Sequence, residues 1–356
     1  MYSLTHRRPT RALQLGTVAI GGDNAVSVQS MANTPTADVS ATVEQIRRLA
    51  LAGCDIVRLA VPDIEAAAAL PAIRRAVNVP LVADIHFDYK LALAAIDANF
   101  DGLRLNPGNI GSDENVRKVV EAARERRIPI RIGVNSGSVP KDVLARMGMT
   151  AEALVESAMQ HVRILEDLNY PEIKISVKAS SVPLTIAAYR LLSETVDYPL
   201  HLGVTEAGTE YVGSIKSSIG IGTLLAEGIG DTIRVSLTDD PVKEATLALE
   251  ILKALGLRSG LNLVSCPTCG RTRIDLIGLA QRTGKRLAPW RDVPITVAVM
   301  GCVVNGPGES READYGIAGG IGEGLLFRSG EIVGKVPEDK LIDALIELIR
   351  TDHPVP

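Results

Sequence analysis

Eight short β-type runs recur along the first two-thirds of the chain, separated by stretches that read as helix, and this alternation leaves few folds open. The runs are AVSVQSM (25–31), DIVRLAV (55–61), PLVADIH (80–86), GLRLNPG (102–108), PIRIGVN (129–135), EIKISVK (172–178), PLHLGVT (199–205) and DTIRVSL (231–237). Helix-compatible segments between or after them include DVSATVEQIRRLALAG, ENVRKVVEAARER, AEALVESAMQHVRILEDL and DPVKEATLALEILKALG. Eight strand–helix units in about 260 residues match the count and length of a (β/α)8 TIM-type barrel. An open doubly wound sheet is the competing arrangement, but no G-x-G-x-x-G follows the first strand to support it.

Six of the runs carry a basic residue at the same place: Arg58, Arg104, Arg131, Lys174, His201 and Arg234. Hydrophobic residues flank each one, as Val57 and Leu59 flank Arg58. Alternate side chains of a strand face opposite ways, so if the apolar set meets the helix layer, the basic set points into the barrel. Two residues further on, the inward positions are Ala60, Asn106, Gly133, Ser176, Gly203 and Ser236, all small or short and polar. Barrel interiors are normally filled by bulky branched residues. Here the pattern predicts a cavity with a cationic floor, opening at the C-terminal strand ends. Clustered cations repel and need counter-charge, part of which Asp84 and Glu206 are placed to supply. A bound diphosphate supplies more, and arginine offers it bidentate geometry; the competing reading is a set of structural ion pairs buried in the barrel. Other polar residues at the same strand ends are Gln29, His86, Asn135 and Lys178. Glu206 suits either a helix cap or a proton donor, His86 either a loop hydrogen bond or catalysis, and Asn135 with Gly137 also suits a turn.

The pattern changes after residue 262, giving expected domains at 1–262 and 263–356. The second holds Cys266, Cys269 and Cys302; Cys54 lies far upstream and reads as a small buried hydrophobe. A helix-compatible RIDLIGLAQRTGKRL, a strand PITVAVMG, a strand–turn–strand GLLFRSGEIVGKV and an amphipathic PEDKLIDALIELIR predict a smaller α+β domain. A C-x-x-C pair with a third distant cysteine suits structural zinc or an iron–sulfur cluster. The nearest oxygen ligand is Glu309, which an extended chain would carry roughly 20 Å from Cys302, unless the intervening NGPG turns it back. A carboxylate is a weaker ligand to iron than a thiolate, so an odd fourth ligand suits a centre that must open, although a single Glu after a turn equally suits a solvated loop residue. Four cysteines make no disulfide scaffold, and the formal net charge of −4 argues against nucleic acid or an anionic membrane as partner. No apolar run has transmembrane length and the N-terminus lacks a signal-peptide pattern, so the expected location is the cytoplasm.

The motifs SCPTCGRT, GCVVNGPGE, VKAS, VTEAG and RLNPGN closely resemble the 4-hydroxy-3-methylbut-2-enyl diphosphate synthase family of the non-mevalonate isoprenoid pathway. The resemblance runs from about Val26 to the C-terminal helix and implies the bacterial two-domain form, a barrel followed by a [4Fe–4S] domain. It implies that Cys266, Cys269, Cys302 and Glu309 hold the cluster. It also implies that 2-C-methyl-D-erythritol 2,4-cyclodiphosphate is reductively opened and dehydroxylated, with electrons from ferredoxin or flavodoxin. The family's diphosphate-binding residues fall on Arg58, Arg104, Arg131, Lys178 and Ser236, with Asn106 and Asn135 nearby; Asp84 and His86 join them at the strand ends. Glu206 and Asn305 match residues beside the substrate, Glu206 as proton donor. Lys174, His201 and Arg234 rest on the periodicity alone. The resemblance further implies a homodimer in which one subunit's cluster domain covers the other's barrel. Two other classes compete on the residues alone: a barrel hydrolase or lyase with a zinc staple, and a non-catalytic metabolite-binding or electron-transfer protein.

Overall fold

Branched residues at alternate strand positions require a surface to bury against, and in the computed structural model they find it beneath a ring of helices. The structure describes residues 6–272, 274–302 and 311–354. Two units divide the chain, Met1–Leu257 and Arg258–Pro356. The division falls ahead of residue 262 because Asn262–Ser265 belongs to the second unit's sheet.

In the first unit a hairpin, β1 (Leu13–Leu15) and β2 (Val18–Ile20), precedes the eight barrel strands. These are β3 (Ser27–Met31), β4 (Ile56–Ala60), β5 (Leu81–Asp84), β6 (Gly102–Arg104), β7 (Ile130–Asn135), β8 (Ile173–Lys178), β9 (His201–Leu202) and β10 (Thr232–Ile233). Between and after them come helices α1 (Val39–Leu51), α2 (Ile64–Ala76), α3 (Tyr89–Asp97), α4 (Asp113–Arg126), α5 (Lys141–Met147), α6 (Ala151–Asp167), α7 (Val182–Thr195), α8 (Glu210–Ala226) and α9 (Pro241–Ala254). The strands pair in parallel in the order β8-β7-β6-β5-β4-β3-β10-β9, and a bridge between Ile175 and Leu200 closes the ring. The expected (β/α)8 barrel is the fold observed.

Outward residues Val57, Leu59, Ile130, Ile132, Ile173 and Ile175 are fully buried in one cluster with Ile46, Leu49, Leu70, Ile73, Val119 and Leu192 of the helices. Burial of each such side chain stabilises by about 1.5–3 kcal/mol. A one-residue slip of any strand would turn its apolar set inward and its cations outward, so the packing fixes the register. Asp38, Asp63, Asp88 and Asp240 cap α1, α2, α3 and α9 by accepting backbone N–H bonds, which fixes where those helices leave the C-terminal strand ends. The hairpin seals the other end: Leu15 and Ile20 are buried against Ile56 and Val82.

The second unit is a five-stranded mixed sheet in the order β11 (Asn262–Ser265), β12 (Thr296–Met300), β13 (Tyr315–Gly319), β14 (Glu323–Arg328), β15 (Glu331–Pro337). Pairing is parallel up to β13 and antiparallel after it. Helices α10 (Leu276–Arg286) and α11 (Leu341–Asp352) pack on it, and Leu341, Leu345, Ile346 and Ile349 share a core with Val297, Val299, Ile317 and Trp290. The apolar face of the last helix is core.

Candidate active site

A cavity of about 120 Å³ opens at the C-terminal ends of the barrel strands, lined by Arg58, Asp84, His86, Arg104, Arg131, Gly133, Asn135, Ser176, Lys178, Thr205, Arg234 and Ser236. Arg104 donates from Nη1 to Asp84 Oδ1 (3.1 Å) and from Nη2 to the Gly133 carbonyl (3.1 Å), while its Nε has no protein partner. Arg131 donates from Nη1 to Ser176 Oγ (2.7 Å), leaving Nε and Nη2 without one. Arg58 lies 3.6 Å from Asp84 Oδ2 and otherwise meets Met31 Sδ, a weak acceptor. Arg234 donates to Ser236 Oγ (2.7 Å) and pairs with Glu244 (3.2 Å). His86 stands 3.2 Å from Arg104 Nη1 and 3.6 Å from Asp84.

Two glycines make room for these cations. A Cβ on Gly133 would sit 2.8 Å from Arg131 Nη1 and 2.9 Å from Arg104 Nε; one on Gly203 would sit 2.6 Å from Lys178 Nζ. Against the five cations stand two carboxylates, Asp84 and Glu244. Burial opposes the charge on Asp84, but Arg58, His86, Arg104 and Arg131 together hold its carboxyl well below the usual range. Burial, then Arg58 and Arg104, push Arg131 well down; burial, then Arg131, Arg234 and Arg58, do the same to Lys178; and burial lowers Arg58 to about 10. Crowded cations with free N–H groups aimed into a cavity suit an anion with many acceptor oxygens.

The second counter-charge is Glu244, not Glu206. Glu244 projects from the first turn of α9, where it accepts from Ser30 Oγ and the Leu237 N–H. Glu206 is exposed on the loop after β9, with a left-handed backbone (φ +52°) uncommon for a residue with a side chain. Asn106 is buried, and its amide exchanges two hydrogen bonds with the Gly133 backbone, extending the β6–β7 pairing past Arg104. Asn135 lines the rim and begins a tight turn with Ser138. Lys174 and His201 lie beneath the cavity, each 1% exposed. Thr205, Met31 and Glu244 were missed from the sequence; Glu244 reads there as an ordinary first-turn helix acid.

In the second unit Cys266 directly follows β11, and Cys302 lies just past β12, its parallel neighbour. The Gly301 N–H donates to Cys266 Sγ (3.1 Å). Cys269 is exposed on a turn, and hydrogen bonds from Arg271 and Thr272 lower its thiol pKa. Among the described residues no three His, Cys, Asp or Glu side chains are gathered closely enough to hold a metal ion. Asn305 and Glu309 lie outside the described residues. Cys54 is buried at the start of β4, its thiol pushed up to about 12 by burial. Among the described residues no helix is long and apolar enough to cross a membrane.

A closed parallel barrel with a cation-lined cavity at its C-terminal strand ends defines a barrel enzyme with an anion-accepting site. The model of the GcpE TIM-barrel domain matches residues 10–249, and that of the GcpE protein C-terminal domain matches residues 262–351. The chain is 65% identical over 339 residues to the 4-hydroxy-3-methylbut-2-en-1-yl diphosphate synthase (flavodoxin) of Geobacter sulfurreducens, covering 95% of this chain and 96% of the relative. It is 60% identical over 345 residues to the protein of the same name from Clostridium acetobutylicum, covering 96% and 99%. The chain belongs to the GcpE family of 4-hydroxy-3-methylbut-2-en-1-yl diphosphate synthases. Among solved structures, a dihydropteroate synthase from Stenotrophomonas maltophilia matches with a TM-score of 0.50 at 14% identity, over 69% of this chain and 98% of that one. That likeness concerns the fold alone.

Proposed function

We propose that this enzyme reductively opens and dehydroxylates 2-C-methyl-D-erythritol 2,4-cyclodiphosphate to 4-hydroxy-3-methylbut-2-enyl diphosphate, with flavodoxin as electron donor and ferredoxin as an alternative. The observation that carries the reading is the convergence of Arg58, Arg104, Arg131, Lys178 and Arg234 on one cavity with unpartnered N–H groups. Their charge neutralises a bound diphosphate and so makes it a better leaving group. Ser176 and Ser236 hold two of the guanidiniums in place. Asp84 fixes Arg104 and spaces it from Arg58. Glu206, exposed on the loop after β9, is the residue we assign to give a proton to the departing hydroxyl, on the ground of the family.

The donor chemistry in the second unit fits an iron–sulfur cluster, since hydrogen bonds lower the pKa of one thiol and another accepts a backbone N–H bond. Cys266, Cys269 and Cys302 would hold it with Glu309, and Asn305 would lie near the substrate. When bound, such a cluster supplies electrons one at a time. The donor set and the family support this placement. We read the working form as a cytoplasmic homodimer, on the same family ground.

Anaerobically prepared protein is expected to contain about four iron and four sulfide per chain and to convert the cyclic diphosphate when given reduced flavodoxin. Iron-replete protein that leaves this substrate untouched overturns the proposal. Glu206→Gln is expected to retain the iron and sulfide yet lose at least about a hundredfold in turnover; undiminished turnover removes Glu206 from proton transfer.

A further inference from the structure

Beneath the cavity lies a second polar layer to which the reading above gives no task. Lys174 stands four residues before Lys178 on the same face of β8 and makes one long hydrogen bond, from Nζ to Thr232 Oγ1 at 3.4 Å. Neither ring nitrogen of the buried His201 has a protein partner, nor do Gln29 Oε1 and two nitrogens of Arg131. Gln29, Arg131 and Lys174 line a small closed space with Leu15 and Val82. Buried polar groups that serve stability alone are hydrogen-bonded, so this layer calls for another account.

The charge balance of the barrel provides one. The cations of the cavity outnumber Asp84 and Glu244, and the empty barrel holds them in mutual repulsion. A guanidinium keeps its proton in any protein environment, whereas a buried amine beside cations gives one up. The lysines of β8 are therefore the groups able to match the charge of the barrel to its contents.

We infer that Lys174 is a proton-accepting residue beneath the diphosphate site: it takes one proton from solvent, becoming an ammonium, when a diphosphate binds above it. The groups facing it are Arg131 from β7, His201 from β9, Thr232 from β10 with Asp231 just before it, Gln29 from β3, and Lys178 above. Burial and Arg131 bring Lys174 down to about 7, against a weaker upward pull from Asp231. His201 is driven well below its ordinary range by burial, Lys178 and Arg131, so it stays neutral and leaves the ammonium to form on Lys174. An arriving dianion raises the lysine again. Below about pH 7 it is protonated in both states, so uptake is confined to the window above that value.

The inference rests on the diphosphate reading, and the test separates the two. The holoenzyme, without reductant so that nothing turns over, is titrated calorimetrically with 2-C-methyl-D-erythritol 2,4-cyclodiphosphate in two buffers of different ionisation heat. Each phosphorus of that ligand carries one ester oxygen, one bridging anhydride oxygen and one strongly acidic hydroxyl, so the ligand brings no titrating proton. At about pH 8.5 the heats are expected to differ by the equivalent of roughly half a proton or more per chain, and at about pH 6 to agree. Lys174→Met is expected to bind the ligand while losing about half of that uptake or more; Lys174→Gln replaces it should the first variant not fold. Absence of any binding heat in either buffer is the failure of the diphosphate reading itself. Binding without proton uptake at the higher pH, or uptake undiminished in the variants, overturns the role of Lys174.

Discussion

A methyl group on Gly203 would lie 2.6 Å from Lys178 Nζ and 2.6 Å from the backbone oxygen of Arg234. The tip of the lysine can swing aside, but the carbonyl belongs to the neighbouring strand and cannot. Gly203→Ala is therefore expected to cost about 1–3 kcal/mol, read as a lower urea midpoint, and to weaken diphosphate binding at least about tenfold. Binding at wild-type strength would mean that the lysine has slack and that Gly203 does not shape the cavity. The inward, small character of Gly133, Ser176, Gly203 and Ser236 was legible in the sequence, because alternation in a strand assigns every residue to a face. The partners of those residues were not. Nothing in the spacing of Asn106 says that its amide exchanges bonds with the Gly133 backbone. Nor does the position of Glu206 disclose its exposure, which is set by a left-handed turn after β9.

Among the elements, α9 brings to the site a carboxylate that no strand provides. Glu244 sits 3% exposed, accepts from Ser30 on β3 and from Leu237 after β10, and faces Arg234. Ser30 and Leu237 donate to different oxygens of Glu244, so Glu244→Gln keeps an acceptor for one of them and removes the charge that faces Arg234. The empty protein is expected to lose about 1–3 kcal/mol, the range for a buried charge-assisted bond. A saturating cyclic diphosphate should restore part of that loss by replacing the missing negative charge, measured as a larger ligand-induced rise in melting temperature than in wild type. An equal rise in both proteins would place Glu244 outside the charge balance of the cavity. At this scale the eight strand–helix units could be counted from the sequence, while β1, β2, β11 and β13 could not. The first two are three residues each, too short for a period to show, and they form because Leu15 and Ile20 find the open base of the barrel. Strand β13 contains two glycines and is held by neighbours on both sides, so tertiary pairing overrides its weak local preference.

At the scale of the whole molecule, the buried cations give the barrel a pH dependence for which the described residues of the second unit offer no counterpart. Lys174 is lowered to about 7 by burial and Arg131, and Lys178 is lowered by burial and its neighbouring cations, whereas an unfolded lysine titrates near 10.4. Between those values the unfolded chain binds more protons than the folded one, so stability rises with pH across that window. Each such lysine contributes at most about 1.4 kcal/mol per pH unit. The depressed carboxyl of Asp84 acts in the same sense, but only in acid, where its contribution is lost as pH falls below the ordinary carboxylate value. The two units can be followed separately in the intact chain. Its single tryptophan, Trp290, is buried in the core of the second unit, while most of the helix lies in the first. Between about pH 7 and 9.5 the urea midpoint by far-ultraviolet circular dichroism is expected to rise, with no matching rise by tryptophan fluorescence. Saturating cyclic diphosphate should flatten the rise, because a bound dianion keeps the lysines charged in the folded state as they are in the unfolded one. A flat or falling dichroism midpoint without ligand would show that the β8 lysines hold their protons in the empty barrel, and the repulsion on which the cavity's affinity for anions is argued would then have to be relieved by some other group.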